Sequence, residues 1–230
     1  MILGTLMQRR GAVEAMTDVL AKVNVSVDSA KLISRWLSAA GHDDAKLTTA
    51  LRSVMGIEAG KPIPYSEQFV RTLAREVQAA GDAEAGSAVF AASLTNCAAC
   101  HRIKSRTAEH DAFVNGSFAK GPDLTSVAAG LPLELIIEAI VWPQRQIKEG
   151  YEMTTLWLDN GRTVSGYLLA ESGKTISIRD LSTGKILEIP ADTVEERAKV
   201  GSAMPAGFTH TLTRQELRDL ARYLSERKSP

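Results

Sequence analysis

The apolar positions along this chain change their spacing part-way through. From about residue 10 to residue 80 they recur every three or four places, the period of packed helix faces. Asp28 precedes Leu32, Ile33, Trp36 and Leu37, with Gly41 as a stop. Asp43 or Asp44 opens a second stretch through Leu47, Leu51 and Val54, closed by Gly56. Ser66 opens a third through Phe69, Val70, Leu73 and Val77, closed by Gly81. Each stretch joins a polar N-cap to a glycine at the C′ site. An earlier helix is expected over Ala12 to Val23. Asp82 caps a helix holding Gly86, Val89 and Phe90, and another is expected from Pro132 to about Trp142, stopped by Pro143. After that the period falls to two. Met153-Thr-Thr-Leu-Trp-Leu meets a turn at Asp159-Asn160-Gly161, and further turns stand at Glu171-Ser172-Gly173 and Ser182-Thr183-Gly184. These segments predict a four-stranded antiparallel meander. Helical spacing returns at Thr213-Arg214-Gln215-Glu216, a capping box, followed by Leu217, Leu220, Ala221 and Leu224 on one face.

The pattern predicts a mainly α protein with a small antiparallel β insertion. Residues 1–81 form a helical, repeat-like region. Residues 82–230 form a second domain whose strand-rich insertion spans about 151–190. Lys plus Arg equals Asp plus Glu at 27 each, so no global field points to nucleic acid or an anionic membrane. No stretch approaches the roughly 18–20 apolar residues of a membrane span. Met1 to Met7 is too short for a signal-peptide core, and Arg9 and Arg10 follow it rather than precede it.

Candidate chemistry sits at Cys97-Ala98-Ala99-Cys100-His101. C-x-x-C-H is the attachment signature of c-type haem. Two thiols can add across the two vinyl groups, and the neighbouring histidine reaches the iron. A thioredoxin-like redox pair would want a βαβ setting, whereas this motif follows a helix. A zinc site would want a second Cys/His pair at ligand spacing, and the chain has no further cysteine. One covalent haem c is therefore expected, with both cysteines used. No nucleophile triad, phosphate loop or dinucleotide fingerprint is visible, so the chain is not expected to act as an enzyme by itself. The competing readings are an open-site haem sensor or enzyme, and a structural docking module of a larger assembly. Phe90 and Tyr223 are expected to pack between the first and last helices of the haem domain. Trp142, Tyr151 and Trp157 are candidates for lining the haem or joining the sheet to it, with core packing as the alternative. Arg102, Lys104, Arg106 and Lys120 are read as a basic rim, either for an acidic redox partner or simply solvated.

Gly86-Ser-Ala-Val-Phe90, the Cys97–His101 loop and Gly121-Pro122-Asp123-Leu124 resemble the N-terminal helix, haem loop and G-P-x-L segment of class I cytochromes c. A closer resemblance is to the planctomycete/Verrucomicrobia-type haem-binding domain that ends large predicted membrane-bound dehydrogenases. It rests on Gly121-Pro-Asp-Leu, Gly150-Tyr151-Glu152, Asp159-Asn-Gly-Arg-Thr-Val-Ser-Gly166, Met204-Pro205 and Leu212-Thr213, and covers about residues 82–226. The resemblance implies a cytochrome c core interrupted by the meander. It also implies that the Pro122 carbonyl accepts a hydrogen bond from His101 Nδ1–H, and that Met204 is the second axial ligand. His110, His210 or an open site remain the alternatives to Met204, and Met153 is read as core. The implied activity is single-electron transfer with a redox partner protein or a fused dehydrogenase domain. Covalent haem implies a periplasmic or otherwise extracytoplasmic place, and the chain then reads as a fragment lacking its signal peptide.

Overall fold

The computed structural model describes residues 2–58, 63–104 and 120–228. Among these the helices are α1 (Ile2–Met7), α2 (Ala12–Lys22), α3 (Val27–Ala39), α4 (Ala45–Val54), α5 (Glu67–Ala80), α6 (Ala83–Ala91), α7 (Val127–Gly130), α8 (Leu133–Val141), α9 (Phe208–Thr211) and α10 (Arg214–Ser225). The strands are β1 (Glu152–Leu158), β2 (Thr163–Glu171), β3 (Thr175–Asp180), β4 (Ile186–Pro190) and β5 (Val194–Ser202). Contacts divide the chain into two units. One is Met1–Tyr65 with Gly207–Leu217, and the other is Ser66–Ala206 with Arg218–Pro230. Among the described residues no helix is long and apolar enough to cross a membrane.

The first unit is a small helical cluster around Leu20, Ala30, Leu37, Leu47 and Leu51. The starts of α3 and α4 are capped locally. Ser26 Oγ accepts from Ser29 N–H (3.1 Å), and Asp44 Oδ1 accepts from Leu47 N–H (2.9 Å). Gly41 and Gly56 stand at φ 72° and 66°, where a Cβ is strained. Past them, His42 N–H reaches back to Leu37 O and Ile57 N–H to Arg52 O, both at 2.9 Å.

Asp28 does not cap its own helix. Its carboxylate accepts from Arg214 N–H (3.0 and 3.1 Å), at the start of α10. The capping box there is reciprocal: Thr213 N–H donates to Glu216 Oε2 (2.8 Å), and Glu216 N–H donates to Thr213 Oγ1 (3.2 Å). Arg35 Nη1 donates to both Glu216 oxygens (2.8 and 2.7 Å), and Lys31 Nζ donates to Leu212 O (2.7 Å). Burial alone would raise the Glu216 pKa, but the bonds from Arg35 and Thr213 outweigh it and hold the carboxyl below its ordinary 4.5. A depressed carboxylate stabilises the fold above its unfolded pKa, and that contribution is lost as pH falls through the folded value. Glu216→Gln is expected to cost about 1–2 kcal/mol at pH 7 and to flatten the acid-side decline. Thermal melts of both proteins from pH 7 down to pH 3 check this. Parallel curves would show that the carboxylate is not coupled to folding.

The second unit joins helices to a sheet. Helix α5 packs on α8, with the Phe69 and Trp142 rings edge to face at 5.8 Å. Helix α6 crosses α10 at Gly86, where an added Cβ would fall on the Asp219 carbonyl. Phe90 and Tyr223 meet beside that crossing at 5.8 Å between ring centroids. Gly81 departs from the expected left-handed stop, with φ −71°. A Cβ there would crowd Val77 O and the Arg222 side chain, so its need is for space rather than for a special φ.

The expected four-stranded meander is corrected by the structure. The sheet has five strands in the order β4-β3-β2-β1-β5, all neighbours antiparallel. β5 returns to pair with the free side of β1. Its sequence, Val194-Glu-Glu-Arg-Ala-Lys-Val-Gly-Ser, lacks apolar alternation because it is a charged edge strand. Arg197 pairs with Glu171 (2.8 Å) and Lys199 with Glu152 (2.6 Å), so charge occupies positions where a half-buried strand would show apolar residues. One face of the sheet buries Leu156, Leu158, Val164, Ile176, Ile178 and Ile189. The alternation of side chains puts Thr155, Ser165 and Tyr167 on the other face. There Thr155 and Ser165 hydroxyls bond across the strands (2.9 Å).

Candidate functional site

The Cys-x-x-Cys-His segment hangs from the end of α6. Asp82 starts this helix, its Oδ1 accepting from Glu84 N–H (2.8 Å) and Ala85 N–H (3.1 Å). After Ala91 the chain leaves the helix, and Thr95 Oγ1 donates back to Val89 O and Ala92 O. Asn96 then takes φ 52°, the one non-glycine residue at positive φ among the described residues. Asparagine tolerates that region better than most side chains. Its turn starts a single 3₁₀ turn, Cys97–Ala99, closed by Cys100 N–H on Cys97 O (3.1 Å) and His101 N–H on the same carbonyl (2.9 Å). In such a turn positions i and i+3 eclipse, which sets Cys97 and Cys100 on one side. Both are free thiols and half-buried. Burial pushes the Cys97 thiol up.

His101 is held by a second segment. Gly121 N–H donates to Cys100 O (2.7 Å), His101 Nδ1–H donates to Pro122 O (2.9 Å), and Leu124 N–H donates to Arg102 O (2.8 Å). Lys104 N–H adds a bond to Thr125 Oγ1 (2.9 Å), and Asp123 Oδ1 accepts from Thr125 N–H (2.8 Å). Residues 100–104 are thus laced to residues 121–125. A carbonyl can only accept, so Nδ1 carries a proton, and in the neutral ring Nε2 keeps its lone pair. Burial lowers the His101 pKa, against the opposing bond to Pro122, and favours the neutral ring. Gly121 lies flat against the imidazole, where a Cβ would stand 2.6 Å from Cε1 and 2.8 Å from Nδ1.

The sheet reaches this loop through Tyr167. Tyr167 on β2 is 4% exposed, and its hydroxyl donates to Lys120 O (2.6 Å). Tyr151 meets it edge to face at 5.2 Å. Burial, with the nearby Cys100 and Tyr151 as lesser causes, pushes the Tyr167 phenol up to about 12, so it stays a donor at neutral pH.

Met204 lies past β5, half-buried, with its N–H on Ser202 Oγ (3.1 Å). That stretch is fixed by Gln144, whose Nε2 donates to Ser202 O (3.1 Å) and whose Oε1 accepts from Ser202 N–H (2.7 Å). His210 belongs to α9 in the first unit, where burial and the charges of Lys31 and Arg52 lower its pKa. His110 and Arg106 lie outside the described residues. Lys104 and Lys120 are exposed, and the charges of Arg102 and Lys104 help Thr125 hold Asp123 low against its desolvation. Among the described residues no three His, Cys, Asp or Glu side chains gather so as to hold a metal ion.

The structure therefore brings Cys97, Cys100, His101 and Pro122 into one loop pair, and puts Met204 at the end of the edge strand. Tyr167 and Gln144 are supports that sequence reasoning did not single out. Tyr167 stands in an ordinary strand pattern, and Gln144 is one polar residue after Trp142-Pro143. No known family model matches the sequence, and no curated protein is significantly similar to it.

Proposed function

We propose that this chain is a monohaem c-type cytochrome domain that carries single electrons outside the cytoplasm, taking them from a dehydrogenase domain or partner protein. One observation carries the reading. A turn presents two free thiols on one side, and the histidine beside them spends Nδ1–H on Pro122, with burial favouring the neutral ring in which Nε2 is a ligand atom. That donor set fits a covalently held haem better than a thiol redox pair, for which the imidazole would be idle. Cys97 and Cys100 would each add S–H across a vinyl group. His101 Nε2 would be the proximal ligand, its orientation and basicity set by the bond to Pro122. Met204 is the proposed second ligand, and Gln144 holds the strand end that leads to it. When bound, haem supplies a one-electron iron couple; the protein sets its potential and its access.

Acid extraction under denaturing conditions tests the attachment: the haem is expected to stay on the polypeptide. Both oxidation states should be low-spin, and carbon monoxide should leave the reduced spectrum almost unchanged. Release of free haem would remove the proposal. Ready binding of carbon monoxide would move it to an open-site sensor or enzyme.

A further inference from the structure

We propose that Tyr167 is a positioning residue for His101, acting from the β-sheet through the backbone of residues 120–122. The inference rests on the haem-binding reading above and adds a residue to it. Three hydrogen bonds meet here. The Tyr167 hydroxyl donates to the Lys120 carbonyl, the same peptide unit donates its Gly121 N–H to Cys100 O, and two carbonyls further on Pro122 O accepts from His101 Nδ1–H. The tether is short: one peptide unit separates the Tyr167 acceptor from the residue lying against the imidazole face.

The physics gives a direction. Tyr167 is buried on a strand with neighbours on both sides, so its hydroxyl is a fixed point. A bond at Lys120 O polarises the 120–121 peptide and strengthens Gly121 N–H as a donor to Cys100 O. The loop pair then closes on His101, and a firm Nδ1–H bond to Pro122 makes Nε2 more basic. A more basic axial nitrogen favours the oxidised iron. Without the Tyr167 hydroxyl, Lys120 O loses a buried partner, the lacing loosens, and the oxidised state is favoured less. The sheet is on this account part of the tuning of the site rather than only packing around it.

Tyr167→Phe keeps the ring and its contact with Tyr151 and removes only the donor. Val164→Ala, on the same strand but the opposite face, serves as a control for general destabilisation. Two readouts on the full-length protein decide the matter: the reduction potential by equilibrium titration, and hydrogen exchange at the Gly121 and Leu124 amides. Tyr167→Phe is expected to raise the potential and to speed exchange at both amides about tenfold, the equivalent of one ordinary hydrogen bond. Val164→Ala is expected to lower the melting temperature without either change. An unmoved potential in Tyr167→Phe, unmoved exchange, or the same pair of changes in Val164→Ala would overturn the proposal. If the wild-type protein carries no haem, the functional reading fails by itself, and the exchange contrast still decides whether Tyr167 holds the loop.

Discussion

Gly86→Val is expected to lower the melting temperature by roughly 10 °C. An added Cβ at this position falls on the carbonyl of Asp219 and within 2.8 Å of Tyr223 Cβ. A side chain can rotate away from a clash, but a helix carbonyl cannot. Helix α10 would have to lift, and Asp219 resists that move. It is 2% exposed, and its Oδ1 accepts from Asp82 N–H (3.1 Å) and Arg218 Nε (3.0 Å). Separating the helices takes the Asp82 N–H off this carboxylate, so overpacking of about 1–3 kcal/mol is joined by one lost charge-assisted hydrogen bond. Gly86→Ala should show a smaller version of the same loss. Melting followed by circular dichroism checks both. A valine variant that melts within a degree or two of wild type would mean that the helices do not meet so closely.

Gly121→Val should disable the site while leaving most of the fold. Its Cβ would stand 2.6 Å from His101 Cε1, inside any tolerable contact. Either the imidazole turns off Pro122 O, or residues 121–125 peel away from residues 100–104. Both routes break the Nδ1–H bond, and the expected loss is about 2 kcal/mol of stability. With haem bound as proposed, the spectrum should shift towards high-spin iron, because His101 Nε2 would no longer be aimed. Absorption spectra and a denaturant melt measure the two effects separately. A low-spin spectrum identical to that of wild type would argue against Gly121 as the surface on which His101 rests.

Much of the local structure was legible because its causes are local. Asp44, Ser66 and Asp82 cap helices through atoms two or three residues away, and the Thr213–Glu216 box closes on itself. Cys97, Cys100 and His101 fall within one turn, so their spacing is their geometry. What escaped depends on partners far along the chain. Asp28 reads as a cap for the helix it sits in, yet its carboxylate serves a helix 186 residues away. β5 is a strand because β1 offers it an open edge, and its own residues carry a run of charge, Glu195-Glu196-Arg197, where apolar alternation would mark a strand. Tyr167 looks like any strand tyrosine until Lys120 O is found at its hydroxyl. The proposed role of Met204 has the same character: nothing within Met204-Pro205 itself says that it serves a metal.

The first unit also has a consequence in time. Its helices α1 to α4 are made well before α10, but Arg35 awaits Glu216, which follows 181 residues later, and Lys31 awaits the Leu212 carbonyl. At about 5–20 residues per second, a ribosome takes roughly ten to forty seconds to deliver those partners. For that interval the early helices lack the residues that tie them down. Closing contacts of such long range is slow once synthesis ends as well. The nascent chain therefore passes through a long period in which these helices are made and not yet tied down, and the start of α10, synthesised much later, completes this unit of the fold.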